Sequence, residues 1–234
     1  LMNTYGFTIA KWKDFAIVLG VIFVPMLFIV LQRETGSALV YLSFFLMLYR
    51  EGMPGSILFT GVAMVVYFVV GIRFADTMLS ITPTSVGKFA VLLMIQIFSA
   101  GLVYVYCNDK RDTIRMILVG LAATVLALIF GLWIIPFDLN YVEMVLCAAM
   151  VLYLLYRFLA TRLRNYLWIT AFALGSLLFF NVADYALNHV LEPHQRVRIN
   201  VLLGLEEDLK GAGYNVHQSE IAIGSGGLQG KGFL

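Results

Sequence analysis

The stretch SVGKFAVLLMIQIFSAGLVYVY, residues 85–106, carries one cation, Lys88, and no acid. A bilayer core roughly 30 Å thick needs about 20 apolar residues at a helical rise of about 1.5 Å, so this segment reads as a membrane-crossing helix. Six other stretches approach the same requirement, near residues 14–31, 37–49, 56–72, 114–136, 141–159 and 166–187. The 37–49 stretch is short for a crossing, which implies tilt, extension into its flanks, or shelter among other helices. Composition points the same way: 61% of residues are hydrophobic and 13% charged, whereas a soluble domain carries about 25% charge. The expected fold class is all-α, a polytopic membrane helical bundle of about seven transmembrane helices over residues 1–187, followed by an extracytoplasmic loop over 188–234.

Orientation follows from the cations in the short connections. One set of alternate ends holds Lys11, Lys13, Arg50, Lys110, Arg111, Arg115, Arg157, Arg162 and Arg164; the other holds Arg33, Arg73 and Lys88. That asymmetry places the N-terminus inside and everything after His189 outside. Turn residues agree with the spans: Gly52-Met53-Pro54-Gly55 reads as an inner turn, Thr82-Pro83-Thr84-Ser85 as the cap of the fourth helix, and Pro136-Phe137-Asp138 as the end of the fifth. Pro25 is expected to kink the first helix. Trp12, Tyr141, Tyr166 and Trp168 read as an interfacial belt. Cys107 and Cys147 stand singly, without metal-ligand or redox spacing, and read as packing residues. The net charge of +2 and the scattered basic clusters argue against a nucleic-acid partner. The opening Leu1-Met2-Asn3-Thr4-Tyr5 shows no signal peptide, and the chain reads as the interior of a longer polypeptide.

The chemistry lies toward the end. Gln195-Arg196-Val197-Arg198 precedes an acidic Glu206-Glu207-Asp208, then Gly211-Ala212-Gly213-Tyr214, then an unbroken run from Gln218 to Gly232, QSEIAIGSGGLQGKG. Apolar residues at 199, 202, 203 and 209 suggest a short helix lying on the membrane surface. Two guanidiniums there match either lipid headgroups or a pyrophosphate, since each offers a planar fork of donors to phosphate oxygens. The glycine-rich run is no P-loop: Ser225 stands where the first glycine belongs, and Gly232 replaces the hydroxyl residue that would meet magnesium. The glycines read instead as positions where backbone closely approaches a bulky substrate or a neighbouring helix.

In order and spacing these elements resemble the external loop of the SEDS family (shape, elongation, division and sporulation), with Leu228 and Gly230-Lys231-Gly232 favouring its RodA-type branch. A second resemblance is Gln32-Arg33-Glu34-Thr35-Gly36-Ser37, where the family usually has Gln-Pro-Asp-x-Gly-Thr; here Arg33 replaces Pro and Glu34 replaces Asp. The resemblance implies a peptidoglycan glycosyltransferase that transfers the undecaprenyl-pyrophosphate-linked glycan to lipid II, partnered by a class B penicillin-binding transpeptidase in the bacterial cytoplasmic membrane, among membrane lipids. It implies substrate binding by Glu34, Arg196, Arg198, Gln218, Ser219 and Lys231, and makes Glu34 a candidate ligand for a divalent cation such as Mg2+ or Mn2+. An acid at a helix end is also explained by the helix dipole. The family's expected catalytic Asp falls beyond Leu234, so the catalytic residue is unknown and no acid of this chain is assigned the role. The chain departs from the family in the helices between its two motifs, about four of which are extra. Glu143, Asn181 and Asp184 are the polar residues in or near the spans that could mark a cavity. The competing readings are a lipid II flippase, a division-type FtsW-like polymerase and a non-catalytic cell-wall scaffold.

Overall fold

The computed structural model describes residues 11–31, 40–80, 82–133, 136–185, 193–205, 214–226 and 230. Every named element among them is a helix, and the chain divides into two compact units, Leu1–Ala63 and Met64–Leu234. In the first unit, α1 (Trp12–Leu31) is 20 residues long and continues through Pro25, and α2 (Phe44–Arg50) has 7 residues. Phe15, Val18 and Ile22 recur on one face of α1 and bury against Leu48 and Met53, with Leu19, Tyr41, Phe45 and Leu58 packed around them. The turn after α2 is the expected one. Gly52 adopts φ +104°, open to glycine at little cost, and lets Met53 fold back to donate to the Leu48 carbonyl at 3.0 Å. With 7 described residues, α2 is too short to cross a bilayer by itself; the 37–39 part of that stretch lies outside the described residues.

Five described helices are long and apolar enough to cross a membrane: α3 (Gly55–Arg73), α4 (Val86–Leu102, continued by a π turn over Val103–Cys107), α5 (Lys110–Trp133), α6 (Leu139–Thr161) and α7 (Arg164–Tyr185). The chain is a multi-pass membrane protein with an all-α bundle. Helices α4 to α7 pack on one another in the second unit, and their outer faces are apolar: Leu126 and Trp133 are 66% and 85% exposed. That is inside-out for water and correct for lipid, which solvates apolar side chains as well as a core does. Small residues close the contacts. A Cβ on Gly87 would lie 2.5 Å from the Gly71 carbonyl oxygen, so glycine is what lets the start of α4 meet the end of α3.

Each end of the bundle has its own fastening. At one end Ser85 holds the cap position of α4 with extended backbone, but its hydroxyl donates to the Ala75 carbonyl at 2.8 Å instead of capping the helix. Thr84 accepts from the Leu139 amide at 2.9 Å, tying this loop to α6, and Asp138 caps α6 by accepting from the Asn140 amide at 2.9 Å. The opposite end gathers Lys110, Arg111, Arg115, Arg157, Arg162 and Arg164 around two tight connections. In these, Asn108 and Arg162 take left-handed backbone conformations with φ 51° and 60°. Asn165 bridges them by donating to the Tyr106 carbonyl at 2.6 Å. Tyr141 and Trp168 are exposed as a belt requires, but Tyr166 is 1% exposed, because its hydroxyl is claimed by a carboxylate inside the bundle. Cys147 is buried and Cys107 half-buried, both as free thiols.

The distribution of cations gives a test of orientation. With both native cysteines removed, single cysteines at positions 111 and 162 should be protected from an impermeant external thiol reagent, and one at 138 should react. External labelling of position 162 would reverse the topology.

Candidate functional site

Inside the four-helix unit the sequence buries a carboxylate at membrane depth. Glu143 of α6 is 1% exposed, accepts from Gln96 Nε2 of α4 at 2.7 Å, and accepts from Thr124 Oγ1 of α5 at 2.6 Å. The Thr124 oxygen is also 3.0 Å from the Gly120 carbonyl, so one hydroxyl proton serves two acceptors. A Cβ at Gly120 would sit 2.9 Å from Gln96 Oε1, so a larger residue there would displace the Gln96 amide. One turn after Glu143, the Cys147 thiol lies 3.6 Å from the Leu92 carbonyl, a second polar link between α4 and α6. The sequence alone marked Glu143 as polar within a span. It did not pick out Gln96 or Thr124, whose partner is distant in sequence and which are otherwise ordinary helix residues. Replacing Gln96 by Leu should cost about 1–3 kcal/mol by leaving the carboxylate short of a donor, while Glu143→Gln, which keeps the shape and an acceptor, should cost less. Thermal melts in detergent would check the order; equal losses would make the network incidental to stability.

A second polar cluster lies at the cation-rich end. Arg157 of α6 donates to Asp109 Oδ2 at 2.8 Å and pairs with Asp112, while the Tyr166 hydroxyl donates to Asp112 Oδ2 at 3.1 Å. The Arg157 guanidinium stands over the Tyr166 ring, 5.5 Å from its centroid. Arg115 adds a longer contact to Asp112 at 3.5 Å. The Asp112 amide donates to Asp109 Oδ1, and this bond, together with Arg157, holds the Asp109 carboxyl below its ordinary value of 3.8. A lowered carboxyl pKa means that the stabilisation is complete above the unfolded value and lost as pH falls through the folded one. Asp109→Asn should therefore flatten the acid limb of a stability profile taken from pH 7 downward. Arg157→Ala, which strands buried Asp112, should cost about 3–5 kcal/mol at neutral pH. An Arg157→Ala protein that melts like wild type would show the cluster to be decorative.

The residues read from the sequence as substrate-binding fall elsewhere. Arg196 lies on α8 (Pro193–Leu202) and is half-buried; Arg198 is on the same helix, with its side chain outside the described residues. Gln218 and Ser219 are exposed on α9 (Tyr214–Gly226), so part of the glycine-containing run read as loop is helical. Glu34 and Lys231 lie outside the described residues. Asp184 is a half-exposed partner of Lys88 at 3.9 Å, an interfacial pair, and exposed Asn181 donates to its own helix at Leu177. Among the described residues, no three His, Cys, Asp or Glu side chains gather as a metal site.

The FtsW/RodA/SpoVE family, described as cell cycle proteins, matches residues 72–234. The chain belongs to the FtsW/RodA/SpoVE family. This is the family that the Gln218–Gly232 run resembles, and the match extends through the whole α4–α7 unit but begins after the Gln32–Ser37 motif. The chain is 52% identical over 58 residues to the peptidoglycan glycosyltransferase MrdB of Escherichia coli strain K12, a stretch covering 25% of this chain and 13% of that protein. It is 42% identical over 71 residues to the peptidoglycan glycosyltransferase RodA of Treponema pallidum strain Nichols, covering 30% and 16%. The chain thus spans only a small part of the length of these relatives. No solved structure matches it.

Proposed function

We propose that the protein is a peptidoglycan glycosyltransferase of the elongation type, a lipid II polymerase acting on the outer side of the bacterial cytoplasmic membrane. The observation that supports this reading is the ordered motif from Gln195 to Gly232, together with relatives named for that activity. Transfer of a glycan from a pyrophosphate carrier needs a base for the acceptor hydroxyl and cations for the departing pyrophosphate. Arg196, Arg198 and Lys231 supply the cations in this proposal, and Gln218 and Ser219 supply neutral hydrogen bonds to sugar or phosphate. Glu34 adds a carboxylate, and a Mg2+ or Mn2+ ion held there would neutralise phosphate charge, a hard cation on hard oxygen donors. The base is assigned to no residue of this chain. Residues 188–234 form the substrate-side segment, and a class B penicillin-binding transpeptidase is the proposed partner.

Labelled lipid II, presented to membranes holding the complete polypeptide and that transpeptidase, should yield glycan polymer. Neutralising Arg196 and Arg198 together should lower turnover at limiting lipid II by at least about tenfold, roughly 1.4 kcal/mol. Glu34→Gln should lower it without loss of expression, and Glu34→Asp should retain activity. Translocation of lipid II without polymer would assign the protein as a flippase. Neither activity, with the transpeptidase still bound, would leave a scaffold.

A further inference from the structure

Helices α4, α5 and α6 enclose an elongated groove of about 670 Å³. Its walls are hydrocarbon, with Leu93, Leu128 and Leu146 among them, and it opens outward between Ile97 and Leu121, which are 58% and 60% exposed. Its polar floor, Gln96 and Thr124, is already committed to Glu143. All three helices are long and apolar enough to cross a membrane, so the groove faces the lipid. What separates it from any lipid-facing furrow is the chemistry of one end.

There the wall includes Arg115 and Tyr153. Arg115 follows the start of α5 by five residues, about 8 Å along the axis, a depth that suits the boundary between headgroups and acyl chains. Its side chain is 58% exposed, pairs with Asp112 through Nη1 at 3.5 Å and neighbours the Tyr153 hydroxyl, and a guanidinium carries five N–H donors, more than these two groups engage. Arg111, one turn earlier on the same face, is exposed as well. The buried Tyr153 hydroxyl stands beside the Asp112 carboxylate and the Arg115 guanidinium, so this end of the groove is polar as well as basic. An apolar slot ending in an exposed cationic fork has the charge and polarity of one kind of occupant. Basic pockets between membrane helices are where acidic headgroups bind.

We propose that this groove is a binding site for an anionic phospholipid of the leaflet facing the α4–α5 turn. One acyl chain lies along α4, α5 and α6, and the phosphate sits on Arg115 with Arg111 nearby. The site does not rest on the glycosyltransferase reading. It lies at the end of the bundle that the cations mark as inner, opposite to the side on which lipid II is proposed to bind. Such a lipid would cement the three helices that share Glu143.

The test compares the full chain in phosphatidylcholine nanodiscs with and without phosphatidylglycerol, reading bound lipid by native mass spectrometry and stability by thermal melts. Phosphatidylglycerol should be retained through purification and should raise Tm by several degrees over phosphatidylcholine alone. Arg115→Gln should weaken its binding about fivefold, the worth of one basic side chain near acidic lipid, and Arg115→Lys should restore part of it. Ala149→Phe, which places a ring in the groove, should displace the lipid while Arg115 stays in place. Arg115 is a surface residue, so its variants remain informative if the groove-filling variant fails to fold. Equal Tm in the two lipids, or retention of phosphatidylglycerol by both Arg115→Gln and Ala149→Phe, would overturn the proposal. So would a change of oligomeric mass in Ala149→Phe without change in bound lipid, which would give the groove to a second copy of the chain.

Discussion

The constraint on which this bundle depends is that hydrocarbon satisfies no hydrogen bond. Once helices α4 to α7 are placed in lipid, a polar side chain among them has only another helix or its own backbone to offer a partner. Glu143 shows the consequence most directly: its carboxylate draws Gln96 from α4 and Thr124 from α5, and the helices take the spacing that these two bonds require. A Cβ at Gly120 would press on Gln96 Oε1, so a larger residue there would make the Gln96 side chain shift. Apolar packing alone, with lipid as a competing solvent of equal quality, would leave α4, α5 and α6 free to slide.

The two ends of the unit are held in chemically different ways, which bears on how the protein sits in its membrane. At the Thr84 end the fastenings are neutral and local: hydroxyls to carbonyls and amides, and a carboxylate cap at Asp138. At the Arg157 end they are ionic, with Asp109 and Asp112 both directed at one guanidinium and Tyr166 closing the set. Among the described residues, that end also holds Arg111 and Arg162, while the Thr84 end of the unit holds Arg73 and Lys88. The structural cluster and the orientation signal therefore share one stretch of sequence, Asp109 to Arg115, whose acids hold helices together while its bases face the membrane surface.

Family membership and the four-helix unit stand in an unusual relation. The family match runs from residue 72 to the end of the chain and so covers a unit with its own buried network and ionic cluster. The motif proposed to meet substrate lies after that unit, on α8, α9 and the residues around them. The apolar outer surface of the bundle suits it to the plane of the bilayer. The polar interior of α4 to α7 joins helices to one another, and the residues proposed to meet substrate are separate from it in sequence.

Much of this was legible from residue order alone. Long apolar runs must become helices in lipid because no other open backbone structure satisfies its own hydrogen bonds there, so the crossings near 56–72, 85–106, 114–136, 141–159 and 166–187 follow from composition and length. The cation asymmetry and the Gln218–Gly232 motif are likewise properties of the string; the motif pointed to the family, and the asymmetry supplies the orientation that labelling tests. Pairing was not. Glu143 is far in sequence from both Gln96 and Thr124, and Tyr166, which looks like a belt residue by position, is turned inward by Asp112. Those partners are selected by helix rotation and crossing angle, which depend on how all the side chains of several helices interlock at once. A one-dimensional pattern records which residues are polar, and only the packed bundle decides which of them meet.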